Sequence, residues 1–119
     1  MYFDGAVNCK GAGIGIVIVT PEGETLPMAK RLTFGVTNNM AEYEACAFGL
    51  TALLALRARN FEVFGDSMLV IRQMQGEWEL KEERLKPYLF HLRSLAQTIP
   101  DRKFQHLPKK IRWLMHWRH

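Results

Sequence analysis

The chain has little cysteine, and its cysteines have no metal-ligand spacing. Among 119 residues only Cys9 and Cys46 are cysteines, and they form no C-x-x-C or related motif. This excludes a zinc site of the usual cysteine type. We therefore expect two reduced thiols, with Cys46 buried in the core.

Long hydrophobic runs are also missing. The longest β-branched run, residues 14–19, is far shorter than the roughly 20 apolar residues of a transmembrane helix. The first residues carry Asp4 and lack a basic segment followed by an apolar run, so no signal peptide is visible. We expect a cytoplasmic or nuclear protein with no membrane partner.

Excess charge is absent from most of the chain. The formal net charge is +4, from 16 Lys and Arg against 12 Asp and Glu. Four of the 16 basic residues lie in an acid-free tail, so residues 1–108 carry 12 of each sign and balance to zero. Charge therefore gives little support for nucleic-acid binding by the body of the domain. Length and composition predict one domain with a single core.

Hydrophobic periodicity and turn residues predict the element order βββαβααβ. The expected strands are 1–4, 13–20, 26–34, 61–64 and 103–107, and the expected helices are 40–59, 67–74 and 80–98. Pro87 marks either the true start of the last helix or a kink. This order predicts an α/β fold with a five-stranded mixed sheet, three antiparallel strands first, flanked by helices.

One face of the long helix is expected to lie on the sheet, with Gly49 permitting a close approach. That face consists of Glu42, Ala45, Cys46, Gly49, Leu53 and Leu56. It places Glu42 in the first turn, at one end of the sheet, where a helix would contribute a metal ligand.

Three acids follow element junctions, in the segments Tyr2-Phe3-Asp4-Gly5-Ala6, Thr37-Asn38-Asn39-Met40-Ala41-Glu42-Tyr43 and Phe64-Gly65-Asp66-Ser67. Each has a purely structural reading. Asp4 could open a turn, Asn39 and Glu42 could form a capping box, and Asp66-Ser67 could cap a helix. Together, however, three carboxylates at one edge of a sheet predict a divalent-metal site.

In this order the three segments resemble the first three motifs of the ribonuclease H family. The resemblance is to the type 1 ribonuclease H-like domain of plant retroelement polyproteins, and it runs from Met1 to about Pro108. It implies the ribonuclease H-like fold and a two-metal endonuclease, a hydrolase that cuts the RNA strand of RNA–DNA hybrids. The implied cofactor is two Mg²⁺ ions, with Mn²⁺ as a substitute. Exonucleases with an Asp-x-Glu first motif fit less well, because Gly5 and Ala6 follow Asp4.

The resemblance also assigns roles to residues. Asp4 would bridge both metals, while Glu42 and Asp66 would hold mainly the metal of the leaving group. The implied hybrid contacts come from the backbone near Gly5 and the side chains of Asn38 and Asn39, with Asn8 and Ser67 as weaker candidates. The implied partner is the hybrid, recognised through the RNA 2′-hydroxyl, with no small-molecule cofactor. We expect a monomer descended from a polyprotein, and we interpret His106 as structural.

The fourth carboxylate of the family is missing. No acid follows Asp101, which precedes the last strand at its far end, and residues 109–119 depart from the family pattern. Back-translated and read one base earlier, residues 111–119 can encode Asn-Gln-Met-Ala-Asp-Ala-Leu-Ala-Thr, the helix that the family would place here. We therefore expect a ribonuclease H-like domain over 1–108 and an atypical tail, a frame-shifted remnant of a truncated or scrambled last helix. The rival reading makes Trp113 and Trp117 part of a short amphipathic helix for a membrane or partner.

In the fold that the resemblance implies, the first strand is central. It is expected to be clipped, because only three residues precede Asp4. A clipped strand and a scrambled helix suggest a fragment of a retroelement polyprotein. Two functions stay open: an active hybrid nuclease, or a catalytically impaired hybrid-binding relic that lacks one metal ligand.

Overall fold

The computed structural model describes residues 1–8, 11–32, 37–76, 82–99 and 101–107. Over these residues the elements are β1 (Tyr2–Asn8), β2 (Gly11–Val19), β3 (Thr25–Leu32), α1 (Asn38–Ala55), β4 (Asn60–Gly65), α2 (Met68–Met74), α3 (Lys86–Gln97) and β5 (Asp101–His106). A 3-10 turn, Glu83–Leu85, leads into α3. The predicted order βββαβααβ is confirmed. The tail, residues 109–119, lies outside the described residues.

The sheet is mixed and five-stranded, in the order β3-β2-β1-β4-β5, and β1 is central as predicted. β1 runs antiparallel to β2 and parallel to β4, and β4 runs parallel to β5. The prediction that β1 ends at Asp4 is wrong. β2 pairs with β1 as far as Asn8 opposite Gly11, and these ladder hydrogen bonds outweigh the local turn preference of Asp-Gly.

The core lies between one face of the sheet and the helices. Alternate strand residues point into it, as the period of two requires: Phe3, Ile14, Ile16, Ile18, Phe61, Val63 and Phe104 are buried. On the opposite face the rings of Tyr2 and Phe64 stack with centroids 5.1 Å apart.

Helix α1 packs on the sheet through the face that the sequence predicted, except at its end. A Cβ on Gly49 would collide with Met1 Sδ and lie 3.3 Å from Ile16 Cγ2, so the close approach is confirmed. Cys46 is buried, and burial raises the pKa of its thiol. Leu56, by contrast, is 55% exposed. It caps a helix that ends at Ala55, short of the expected residue 59.

Local signals set the starts of the other helices. Pro87 lies in the first turn of α3, where its missing N–H is not needed, so it marks the start and not a kink. Ser67 is the N-cap of α2, and its Oγ accepts from Val70 N at 3.4 Å.

None of the helices among the described residues has the length and apolarity needed to cross a membrane.

Candidate metal centre

The structure brings the three predicted acids together. One carboxylate oxygen from each of Asp4, Glu42 and Asp66 lies within 4.8 Å of the others. They come from the middle of β1, the second turn of α1 and the residue after β4. Three distant sequence segments therefore meet at one place.

Strand register explains how Asp4 and Asp66 meet. The parallel pairing of β1 and β4 places Phe3 opposite Gly65, so the next residue of each strand is an aspartate. A Cβ on Gly65 would collide with the Phe3 ring, and glycine therefore lets the two strands keep this register. Both aspartates are half-buried.

Glu42 is held by the backbone of β1. It is only 8% exposed, and Gly5 N donates to its Oε1 at 2.6 Å. Because β4 pairs only with Tyr2 and Phe3, the Gly5 N–H lies beyond the end of β4, and the carboxylate takes the place of a strand partner. A charged acceptor makes this hydrogen bond a strong one.

The alternative reading of Glu42 as part of a capping box is wrong. The N-cap of α1 is Thr37, whose Oγ1 accepts from Met40 N at 3.2 Å, and Asn39 lies inside the helix. Glu42 is thus directed at β1 and not at its own helix terminus.

The residues fit a hard divalent cation. Carboxylate oxygens are the ligands that Mg²⁺ and Mn²⁺ prefer, and two ligands on opposite sides of Mg²⁺ lie about 4.2 Å apart. Oxygens within 4.8 Å of one another need only a small side-chain adjustment to reach one ion. Asp4, Glu42 and Asp66 are the residues that could hold the metal.

His106 contacts the backbone of the segment that carries Asp66. Its Nε2 is 3.1 Å from the carbonyl oxygen of Asp66, and because a carbonyl only accepts, the contact requires the proton on Nε2. Leu107 N donates to Gly65 O at 2.7 Å. The end of β5 thus donates to the backbone carbonyls of both Gly65 and Asp66. The β4–β5 register, which pairs Gly65 with His106, brings these groups together.

The predicted hybrid-binding residues are only partly grouped around the acids. Asn38 and Asn39 are exposed in the first turn of α1, one turn before Glu42. Ser67 is half-buried and occupied as an N-cap, while the side chain of Asn8 lies outside the described residues. Asp101 begins β5 at the end opposite His106, so it is remote from the three acids, as expected.

A family model described as reverse transcriptase-like matches residues 2–112, nearly the whole chain. A solved ribonuclease H1 from the halophilic archaeon Halobacterium salinarum is 30% identical, with a TM-score of 0.85, and the match covers 92% of this chain and 85% of that one. This chain belongs to the ribonuclease H-like family. The fold predicted from the motifs is thereby confirmed.

Other ribonuclease H-like relatives are similar at the same level. LC11-RNase H1, solved in complex with an RNA/DNA hybrid, is 33% identical with a TM-score of 0.81, over 92% of this chain and 85% of that one. A bifunctional protein of Mycobacterium tuberculosis is 31% identical over 86% of this chain. The Halobacterium salinarum ribonuclease HI is 32% identical over 91% of this chain. This ribonuclease H-like chain spans 55% of the length of that protein and 28% of the length of the mycobacterial protein.

Proposed function

We propose that this ribonuclease H-like domain is a metal-dependent endonuclease that cuts the RNA strand of RNA–DNA hybrids. The observation that carries the proposal is the convergence of Asp4, Glu42 and Asp66 within 4.8 Å. The likeness to a ribonuclease H1 solved with an RNA/DNA hybrid supports the choice of substrate.

The proposed chemistry needs carboxylates that stay ionised and fixed. When bound, two Mg²⁺ ions, or Mn²⁺ in their place, supply an activated water and neutralise the leaving 3′-oxygen. As the family resemblance implies, Asp4 is proposed to serve both ions, with Glu42 and Asp66 on the leaving-group side. The Gly5 N–H fixes one Glu42 oxygen at 2.6 Å, which holds this carboxylate in place beside the other two acids.

The proposed hybrid contacts lie beside the metal centre. Asn38 and Asn39 present exposed amides at the start of α1, and amides both donate to and accept from a 2′-hydroxyl and base edges. The Gly5 backbone adjoins the same acids and is proposed as a contact beside the two asparagines, with Ser67 and Asn8 as weaker candidates.

The test is cleavage of end-labelled RNA annealed to DNA, with Mg²⁺ or Mn²⁺. We expect the wild-type chain to cut the RNA strand and Asp4→Asn to be inactive, which also controls for contaminating host enzyme. Asp101→Asn is the matched control, because it neutralises an exposed aspartate at the far end of β5. Cleavage that survives Asp4→Asn would refute the metal site, as would equal losses in both variants.

A second candidate is a hybrid-binding relic with impaired turnover. It is favoured by the sequence after Asp101, which contains no acid to serve as a fourth ligand. Loss of a ligand lowers turnover more than groove binding. Hybrid binding in a gel-shift assay without cleavage above the Asp4→Asn background would identify this behaviour.

We also propose the retroelement origin and the frame slip of residues 109–119. The description of the matching family as reverse transcriptase-like supports the first. Sequencing the gene and its flanks tests both. We expect an adjoining reverse transcriptase reading frame and codons that encode the Ala-Asp-Ala-Leu-Ala helix in the neighbouring frame.

A further inference from the structure

A buried polar pair connects two of the helices. Tyr43 of α1 and Gln73 of α2 are both 0% exposed, and the Tyr43 hydroxyl donates to Gln73 Oε1. Desolvation by burial, opposed by the Gln73 hydrogen bond, raises the pKa of Tyr43 to about 12. The hydroxyl is therefore a permanent donor at any pH at which the protein would work.

The pair is poorly explained by stability alone. Within the described part of the chain, Gln73 Nε2 is buried without a hydrogen-bond partner. An unsatisfied buried donor costs about 1–3 kcal/mol, whereas two apolar residues of the same shape can be nearly neutral. A polar pair of this kind is better suited to selecting one arrangement of the two helices.

The two helices are the ones that carry or adjoin the acids. Tyr43 immediately follows Glu42 in α1, and Gln73 lies in the last turn of α2, which begins two residues after Asp66. Helix α2 has only seven residues, or about 10 Å of length. A shift at its Gln73 end therefore tilts the whole helix and moves the segment that carries Asp66.

The same end of α2 is held from two other sides. Arg93 Nη2 of α3 donates to Gln73 O at 3.5 Å, and Gln75 Nε2 donates to Phe104 O of β5 at 2.5 Å. These contacts fix α2 to α3 and to β5. The Tyr43 hydroxyl fixes α2 to α1.

We propose that Tyr43 and Gln73 are positioning residues for the metal centre, setting the separation of the Glu42 and Asp66 carboxylates by joining α1 to α2. The inference rests on the proposed metal site. It adds to that site a pair of residues that touch neither metal nor substrate.

The experiment measures Mn²⁺ affinity by electron paramagnetic resonance and unfolding free energy in urea for Tyr43→Phe and Tyr43→Phe/Gln73→Met. The matched control is Tyr88→Phe, which removes a hydroxyl from the ring stacked on Tyr43, 6.1 Å away. We expect Mn²⁺ affinity to fall about tenfold in Tyr43→Phe and in the double variant, and to stay at the wild-type value in Tyr88→Phe. Excess Mn²⁺ should restore the hybrid cleavage rate.

The double variant separates positioning from stability. In this variant two apolar side chains replace the polar pair. We therefore expect its unfolding free energy to return towards the wild-type value while its Mn²⁺ affinity stays low. The inference would be overturned if the Mn²⁺ affinity of the double variant recovered together with its stability. It would also be overturned if both Tyr43 variants had the same Mn²⁺ affinity as Tyr88→Phe. Wild-type Mn²⁺ binding that is absent, or unchanged in Asp66→Asn, would overturn the metal site itself and the inference with it.

Discussion

Gly5→Ala is the substitution that most directly tests how Glu42 is positioned. A Cβ at Gly5 would lie 2.5 Å from the carbonyl carbon and oxygen of Ala41 and 2.9 Å from Glu42 N. Carbon atoms in contact normally lie about 3.5 Å or more apart, and all three atoms belong to the helix backbone. Helix α1 must therefore retreat from β1 by about 1 Å.

The retreat also breaks a hydrogen bond. A shift of about 1 Å carries the Gly5 N to Glu42 Oε1 distance of 2.6 Å beyond the range of a hydrogen bond. Overpacking costs about 1–3 kcal/mol, and a hydrogen bond to a charged group contributes about 1.5–3 kcal/mol. Because both effects arise from one displacement, we expect a combined loss of about 3 kcal/mol.

Urea unfolding followed by circular dichroism measures this loss. With a slope of about 1.5 kcal/mol per molar urea, the midpoint should fall by about 2 M. Gly13→Ala is the matched control, since nothing lies within 4 Å of its Cβ on the adjacent strand β2. A Gly5→Ala midpoint within experimental error of the Gly13→Ala midpoint would show that α1 does not depend on this contact.

Three further outcomes are expected. Arg57 follows α1 with φ of 58°, in the left-handed region, so Arg57→Gly should raise the unfolding free energy by about 0.5–1 kcal/mol in urea, while Arg57→Ala should give no gain. Because folding raises the pKa of Tyr43 from 10.0 to about 12, the folded state holds that proton more tightly than the unfolded state. The stability contributed by this group is therefore present below pH 10 and declines above it, by about 1 kcal/mol at pH 11. Urea titrations at pH 9 and 11 should show a smaller decline for Tyr43→Phe. Mg²⁺ at one hundred times its Kd should stabilise the wild-type protein by about 2.7 kcal/mol, and thermal unfolding of Asp66→Asn should show no such shift.

The sequence predicted the element order from local patterns, and the grouping of the acids from a family resemblance. Alternating apolar residues set the core face of β2, and a Pro in the first turn set the start of α3. The acids could be grouped because the motifs around Asp4, Glu42 and Asp66 resemble one family in order and spacing. The predicted helix face placed Glu42 at the end of the sheet, but in the second turn of α1 and not the first, because the helix begins at Asn38.

What the sequence did not predict depends on partners distant in the chain. Asn39 and Thr37 are both good N-caps; the helix uses Thr37, while the Glu42 side chain accepts from Gly5 N of a distant strand. Asp4-Gly5 has the composition of a turn, yet pairing with β2 extends the strand. The contact of His106 with Asp66 requires the β4–β5 register, which no local pattern contains.

The strand pairs of the sheet differ in the sequence separation of the residues that they join, and the change occurs at the pairing of β1 with β4. Strands β1 to β3 are consecutive and antiparallel, so their contacts are local, whereas Tyr2 pairs with Phe64, about 60 residues away. Contacts that close long loops form late in folding, because the entropy of closure must be overcome first. Asp4 lies on one side of this junction and Asp66 on the other, so we expect the cation site to be complete only after β1 has paired with β4. The appearance of Mn²⁺ binding during refolding should therefore coincide with the completion of folding.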